Sequence, residues 1–144
     1  MPGIDECLRE AMAVPGARGA SLVDWTSGLA LGTAGESPVG DHETTAAETA
    51  ELARTAAEYD SFTAGAGAGP GAGADAAGAA ESLSKGPPVE DLIVTTRGGY
   101  HVLRFVETAF DSSVFLHLWL DRDTGNLALA RIRLRDLAER LVLG

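Results

Sequence analysis

A chain of 144 residues and 14.8 kDa has room for one domain, and 21 acids against 11 Lys+Arg leave it a net charge of −10. Neutralising phosphates takes clustered cations, so this balance argues against a nucleic-acid surface. No run reaches the roughly 18 apolar residues of a membrane span. The acidic opening MPGIDECLRE does not read as a signal peptide, and Cys7, the single cysteine, has no second thiol for a disulfide or a shared zinc. The expectation is a soluble, acidic, cytoplasmic domain. Arginine is preferred over lysine throughout, with 25 alanines and 18 glycines, a bias of the kind GC-rich bacterial genomes produce.

Residues 2–13 read as a helix with Ile4, Leu8, Ala11 and Met12 on one face and Asp5, Glu6, Arg9 and Glu10 largely opposite. Val14-Pro15-Gly16 ends it, because proline disfavours helical backbone at the residue before it. Residues 20–25 and 29–35 flank Thr26-Ser27-Gly28, a hairpin in which Gly28 supplies positive φ. After a loop over 36–40, Asp41 caps a helix running to about Tyr59, with Glu43 and Glu48 suiting its N-terminal dipole.

Residues 64–88 hold nine Ala, seven Gly and three Pro, so 19 of 25 positions offer little to pack. Such a stretch cannot offset its own ordering entropy and reads as a flexible tether. Neither flank has a self-sufficient core, since below about 70 residues a single core is marginal. The tether therefore reads as an insertion within one domain spanning 1–144 rather than a linker between two.

Beyond it, 89–97 and 100–108 form a second hairpin around Gly98-Gly99. In the strand 114–122, Leu116, Leu118 and Leu120 share one face and Phe115, His117 and Trp119 the other, the mark of a central strand covered on both sides. The last helix carries the stripe Leu127, Ala130, Leu134, Leu137 and Leu141, with Arg131, Arg133, Arg135 and Arg140 off it. Asp121 and Asp123 are expected to start this helix and satisfy its first amides. The order is α-β-β-α-β-β-β-α.

Catalytic constellations are sparse. His101 and His117 lie on strands that can pair, but two imidazoles do not make a metal site without a third or fourth ligand such as Glu107 or Asp121. His42 stands apart, and an exposed or core histidine is the commoner role for each. Cys7 falls on the buried side of its helix, Ser27 in a turn, and Ser112-Ser113 beside Asp111 with nothing marking His117 as their base. The tether lacks the phosphate-cradling G-x-x-x-x-G-K-[ST] pattern, and its one lysine, Lys85, precedes Gly86-Pro87. No enzyme, metal or cofactor is therefore expected.

The helix 41–60 is more informative. Its six acids and one arginine carry −5 of the charge, and Ala46, Ala50, Ala53 and Ala57 form a line of small residues that allows close backbone approach.

Several stretches resemble the roadblock/LC7 family: IDECLREAMAVPGARGASLVD (4–24), Gly28, AAETAELARTAAEY (46–59), VEDLIVTTRGGYHVLR (89–104) and FLHLWLDRDTGNLALARIRL (115–134). Leu120 to Arg131 is similar to the bacterial branch found beside small GTPases. The resemblance covers nearly everything except the tether. It implies an α/β roadblock fold, a five-stranded antiparallel sheet with the middle helix on one face and the terminal helices on the other.

It also implies a non-catalytic homodimer that pairs middle helices and joins third strands. On this sequence that makes Ala46, Ala50, Ala53, Ala57, Leu92 and Val94 the expected dimer contacts. The acids Glu43, Glu48, Glu51 and Glu58 become the expected docking face for a small Ras-like GTPase. In actinobacterial settings a sensor-kinase-like membrane protein is a further partner, which would hold the protein peripherally at the inner face of the membrane. The rival readings are a purely structural subunit of a signalling complex and a small-molecule sensor, its pocket lined by Tyr100, Phe105, Phe115 and Trp119.

Overall fold

The structure, a computed structural model, describes residues 3–63, 89–106 and 113–142. The expected tether 64–88 lies outside the described residues, as do Glu107, Asp111 and Ser112. In chain order the elements are α1 (Ile4–Met12), β1 (Ala17–Asp24), β2 (Leu29–Gly35), α2 (His42–Glu58), the single turn α3 (Asp60–Thr63), β3 (Asp91–Thr95), β4 (Gly99–Val106), β5 (Val114–Asp121) and α4 (Leu127–Val142). Apart from α3, this is the order the periodicities predict.

The strands form one sheet in the order β2-β1-β5-β4-β3, every neighbouring pair antiparallel. β5 sits in the middle, and its alternation sorts the two cores. Leu116, Leu118 and Leu120 join Leu22 and Val102 under α1 and α4, which contribute Cys7, Leu8, Ala11, Ala130, Leu134 and Leu137. Phe115 faces the other way, with Val23, Leu103 and Phe105 under Ala46, Ala50 and Ala53 of α2. This is the architecture the roadblock/LC7 resemblance implies, with both faces of the sheet covered.

Local chemistry explains the joints. At Gly28 φ is +78°, and its N–H closes the β1–β2 turn on Asp24 O at 2.8 Å. A β-bulge follows at Leu22/Val23, where the register shifts from Gly32 to Ala30. Past it, a Cβ on Gly32 would sit 2.6 Å from Ile4 Cγ2, so the glycine lets α1 lie directly on β2. Asp41 caps α2 as expected. Its Oδ1 accepts from Glu43 N–H at 3.1 Å and its Oδ2 from the Thr44 hydroxyl at 2.7 Å. The Thr44 hydroxyl first, then the Glu43 N–H, hold this carboxyl below its ordinary range.

The start of α4 corrects the sequence reading. Asp121 Oδ2 accepts from the amides of Asp123 and Thr124 at 3.0 Å, closing a turn before the helix rather than capping it. The cap is Asn126, whose Oδ1 accepts from Leu129 N–H at 3.0 Å. Asn126→Ala is expected to lower the unfolding free energy by about 1 kcal/mol in urea denaturation, and Asp123→Ala to leave it nearly unchanged. Among the described residues, no helix is long and apolar enough to cross a membrane.

Candidate partner-docking surface

Every large side chain of α2 is polar except Leu52, so the helix can approach the sheet only through its small residues. That decides where the alanine line goes. Ala46, Ala50 and Ala53 are no more than 2 % exposed, packed on Val23, Leu103, Phe105 and Phe115 of the chain's own sheet. Ala57 is half-buried against the same cluster, as is Leu92 of β3. The close approach that the small residues permit is thus helix to sheet within one molecule for Ala46, Ala50 and Ala53, which have almost no surface left for a second helix, while Ala57 keeps part of its surface. Of the six expected contacts, Val94 alone is exposed.

The exposed apolar surface lies beside that line. Leu52 is 43 % exposed, Val94 38 % and Val39 59 %. With Pro38, Thr49 and Leu103 they border an open groove of about 290 Å³ between α2 and the β3–β4 edge. No motif in the sequence marks Leu52 or Val39. The available signal was that Leu52, alone among the large α2 residues, is apolar and stands off the alanine line.

The four docking acids do not form one patch. Glu48 borders the groove, Glu43 sits in the first turn of α2, and Glu51 and Glu58, seven residues apart, share an outward stripe. All four are exposed.

The floor of the groove is unusual. His101 lines it, and its Nδ1 lies 2.9 Å from Nε2 of His117. The two imidazoles are near parallel, 16° apart with centroids at 5.2 Å, so in the neutral pair one ring donates and the other accepts. His101 also stacks on Trp119 at 6.2 Å, and the Arg18 guanidinium lies 4.0 Å above the Trp119 ring. His117 is 3 % exposed. Burial pushes its pKa down to about 3, helped by His101 and His42, and burial lowers His101 as well.

The pairing of the two strands therefore does bring the imidazoles together, but bonded to each other. Among the described residues no group of three His, Cys, Asp or Glu is placed to hold a metal ion. Asp121 is committed to its turn, and His42 Nε2 donates to Gly35 O at 3.1 Å.

The remaining candidates separate in the same way. Burial first, then Glu10, raises the Cys7 thiol to about 11, so it stays protonated and buried at neutral pH. Ser27 accepts from Leu29 N–H in the hairpin turn, and Ser113 donates to Asp24 Oδ1 at 3.2 Å. The four aromatic residues proposed for a sensor pocket do not share a cavity. Tyr100 packs on the α1/α4 side, Phe105 and Phe115 lie under α2, and Trp119 is stacked beneath His101. Phe105 and Phe115 are core, with Trp25 edge-on to Phe105 at 6.5 Å.

This layering defines a roadblock/LC7-type α/β domain, and known structures share it. Myxococcus xanthus MglB aligns over 96 % of this chain and 88 % of its own at 20 % identity and a TM-score of 0.58. A roadblock/LC7 domain from Streptomyces avermitilis aligns over 97 % and 95 % at 16 % identity and 0.57. Myxococcus xanthus MglC aligns over 97 % and 93 % at 20 % identity and 0.52. No protein-family model and no curated protein matches the sequence. The chain has the roadblock/LC7 fold, and the likeness spans the whole domain.

Proposed function

We propose that this chain is a non-catalytic regulator or scaffold of a small Ras-like GTPase in bacterial signalling and that it works as a homodimer. The observation that carries the reading is the uncovered face formed by α2 and the β3 edge, on a fold of this type. That face holds exposed Leu52, Val94 and Val39, with exposed Glu48 bordering the same groove. Apolar residues in a polar rim are the anatomy of an interface. The alanine line being internal, the dimer seam moves to Leu52 and Val94 at the groove, with β3 as the free edge strand that a second copy can extend. Glu51 and Glu58 then remain outward, available to a partner with a basic surface. The GTPase performs its own phosphoryl chemistry, and this chain acts by holding the mobile switch loops in place. A sensor-kinase-like membrane protein would bring the assembly to the inner face of the membrane.

The test is affinity purification of the tagged chain from its host with mass spectrometry of what accompanies it. A small GTPase enriched over a tag-only control supports the reading. Repeated recovery of the chain by itself overturns it. With a GTPase in hand, Glu51→Lys with Glu58→Lys is expected to weaken binding by about tenfold or more while the dimer stays intact. Leu52→Glu is expected to shift light scattering from dimer toward monomer.

A further inference from the structure

Across the sheet from the groove, three of the arginines of this acidic protein border one cleft. Arg104 of β4 and Arg131 and Arg135 of α4 border a cleft of about 300 Å³ between α4 and the start of β3, completed by Glu90, Asp91, Ala128 and Ile132. The three guanidinium groups are not equivalent. Arg131 is satisfied, its Nε and Nη2 donating to the Asp91 carboxylate at 2.9 and 3.4 Å. Arg135 is exposed and makes no ion pair among the described residues. Arg104 is the anomaly: its side chain is 16 % exposed, yet its one ion pair among the described residues is Glu90 at 4.0 Å, and Glu90 is 79 % exposed. The Arg104 Nε is buried without a hydrogen-bond partner.

A largely buried guanidinium with its charge barely matched is costly unless something else supplies oxygens. Neither of the two acids nearby does so, since Asp91 is committed to Arg131 and Glu90 reaches only the contact limit. An arginine fork is matched by a planar carboxylate or a phosphoryl group, and Arg104, whose charge is weakly matched, together with exposed Arg135 on a separate element suits a ligand with more than one anionic oxygen. Ala128 and exposed Ile132 add an apolar wall, so the cleft can also take the carbon skeleton of an organic anion.

The geometry points to a binding site for a small dianionic metabolite, held through its oxyanion oxygens between Arg104 and Arg135. The ligand would bridge α4 to the β3–β4 hairpin, on the opposite face of the sheet from the proposed docking surface. The inference stands apart from the GTPase reading and survives its failure. It relocates ligand sensing from the scattered aromatic residues to the arginine cleft.

The test is isothermal titration of the full chain at low ionic strength, about 50 mM salt, with pyrophosphate and separately with succinate. Saturable binding of pyrophosphate alone assigns the site to phosphoryl ligands, and of succinate alone to dicarboxylates. Either supports the site provided Arg135→Gln weakens it by about tenfold or more, while Arg133→Gln, exposed on α4 and outside the cleft, does not. Arg104→Gln is expected to act like Arg135→Gln. If it unfolds the protein, Arg135→Gln decides the matter, because that side chain is exposed. No saturable binding of either probe up to about 10 mM overturns the inference. So does equal weakening by Arg133→Gln and Arg135→Gln, which would show diffuse attraction rather than a site.

Discussion

Ala53→Leu is expected to lower the unfolding free energy by about 1–3 kcal/mol, because three extra carbons must enter a contact that is already closed. Ala53 is 0 % exposed and belongs to the cluster of Val23, Leu103, Phe105 and Phe115. Leucine there either forces off-rotamer side chains or lifts α2 from the sheet, and both outcomes act within one molecule. Urea denaturation should therefore report the loss at every protein concentration. Ala47→Leu, exposed on the same helix, should change little. A seam between two molecules would behave otherwise, since its disruption appears as a concentration-dependent midpoint. A loss confined to concentrations where the protein is dimeric would return the alanine line to the dimer interface.

Acidification from pH 7 to pH 5 is expected to cost about 2 kcal/mol through His117 alone. Its native pKa of about 3 lies below the ordinary histidine value of 6.5, so below pH 6.5 the unfolded chain binds a proton that the native state refuses. Stability from this group is complete above 6.5, falls as pH drops, and is exhausted near pH 3. His101, shifted in the same direction by burial, adds to the loss. Around the pair, His42 further disfavours charge on His117, Trp119 is neutral, and the Arg18–Glu36 ion pair at 3.7 Å places Arg18 above Trp119 and Glu36 along the pocket that His117 lines. Ordinary carboxylates titrate near pH 4, so the window above pH 5 reports mainly histidine. Denaturant midpoints of the wild type and of His117→Gln, compared at both pH values, read the effect directly. The variant should lose most of the slope. Equal slopes would mean that His117 carries a proton in the native state, and the neutral pair would have to be abandoned.

Residues with a strict local signature behaved as their periodicity requires. The alternation Phe115, Leu116, His117, Leu118, Trp119, Leu120 marks a strand buried on both sides, and β5 is the centre of the sheet. Gly28 and Asp41 act through their own backbone or the next two or three residues, and both do what their positions imply. The beginning of α4 did not follow, because Asp121, Asp123 and Asn126 are all competent caps. Which of them is used depends on where the β5–α4 turn closes, and Asp121 is drawn into that turn.

The surface was less legible than the core for a related reason. A helical line of alanines says that something approaches closely, and the pattern is the same whether that is a neighbouring molecule or the chain's own sheet. The identity of the neighbour is a long-range fact: α2 rests on Val23, Leu103 and Phe115, residues far from it in the chain on either side. The arginine cleft is of the same kind. Arg104 lies on a strand and Arg131 and Arg135 on a helix, and neither segment alone has a pattern that announces a shared site. Sequence by itself determined the element order apart from α3, the two-sided central strand and the lack of a nucleotide motif, since each follows from local periodicity and composition, while the class came from its resemblance to the roadblock/LC7 family. Tertiary structure alone decided which face of α2 is free, that His101 and His117 bond to one another, and that three arginines converge on one cleft. Those depend on which distant segments the sheet order brings into contact.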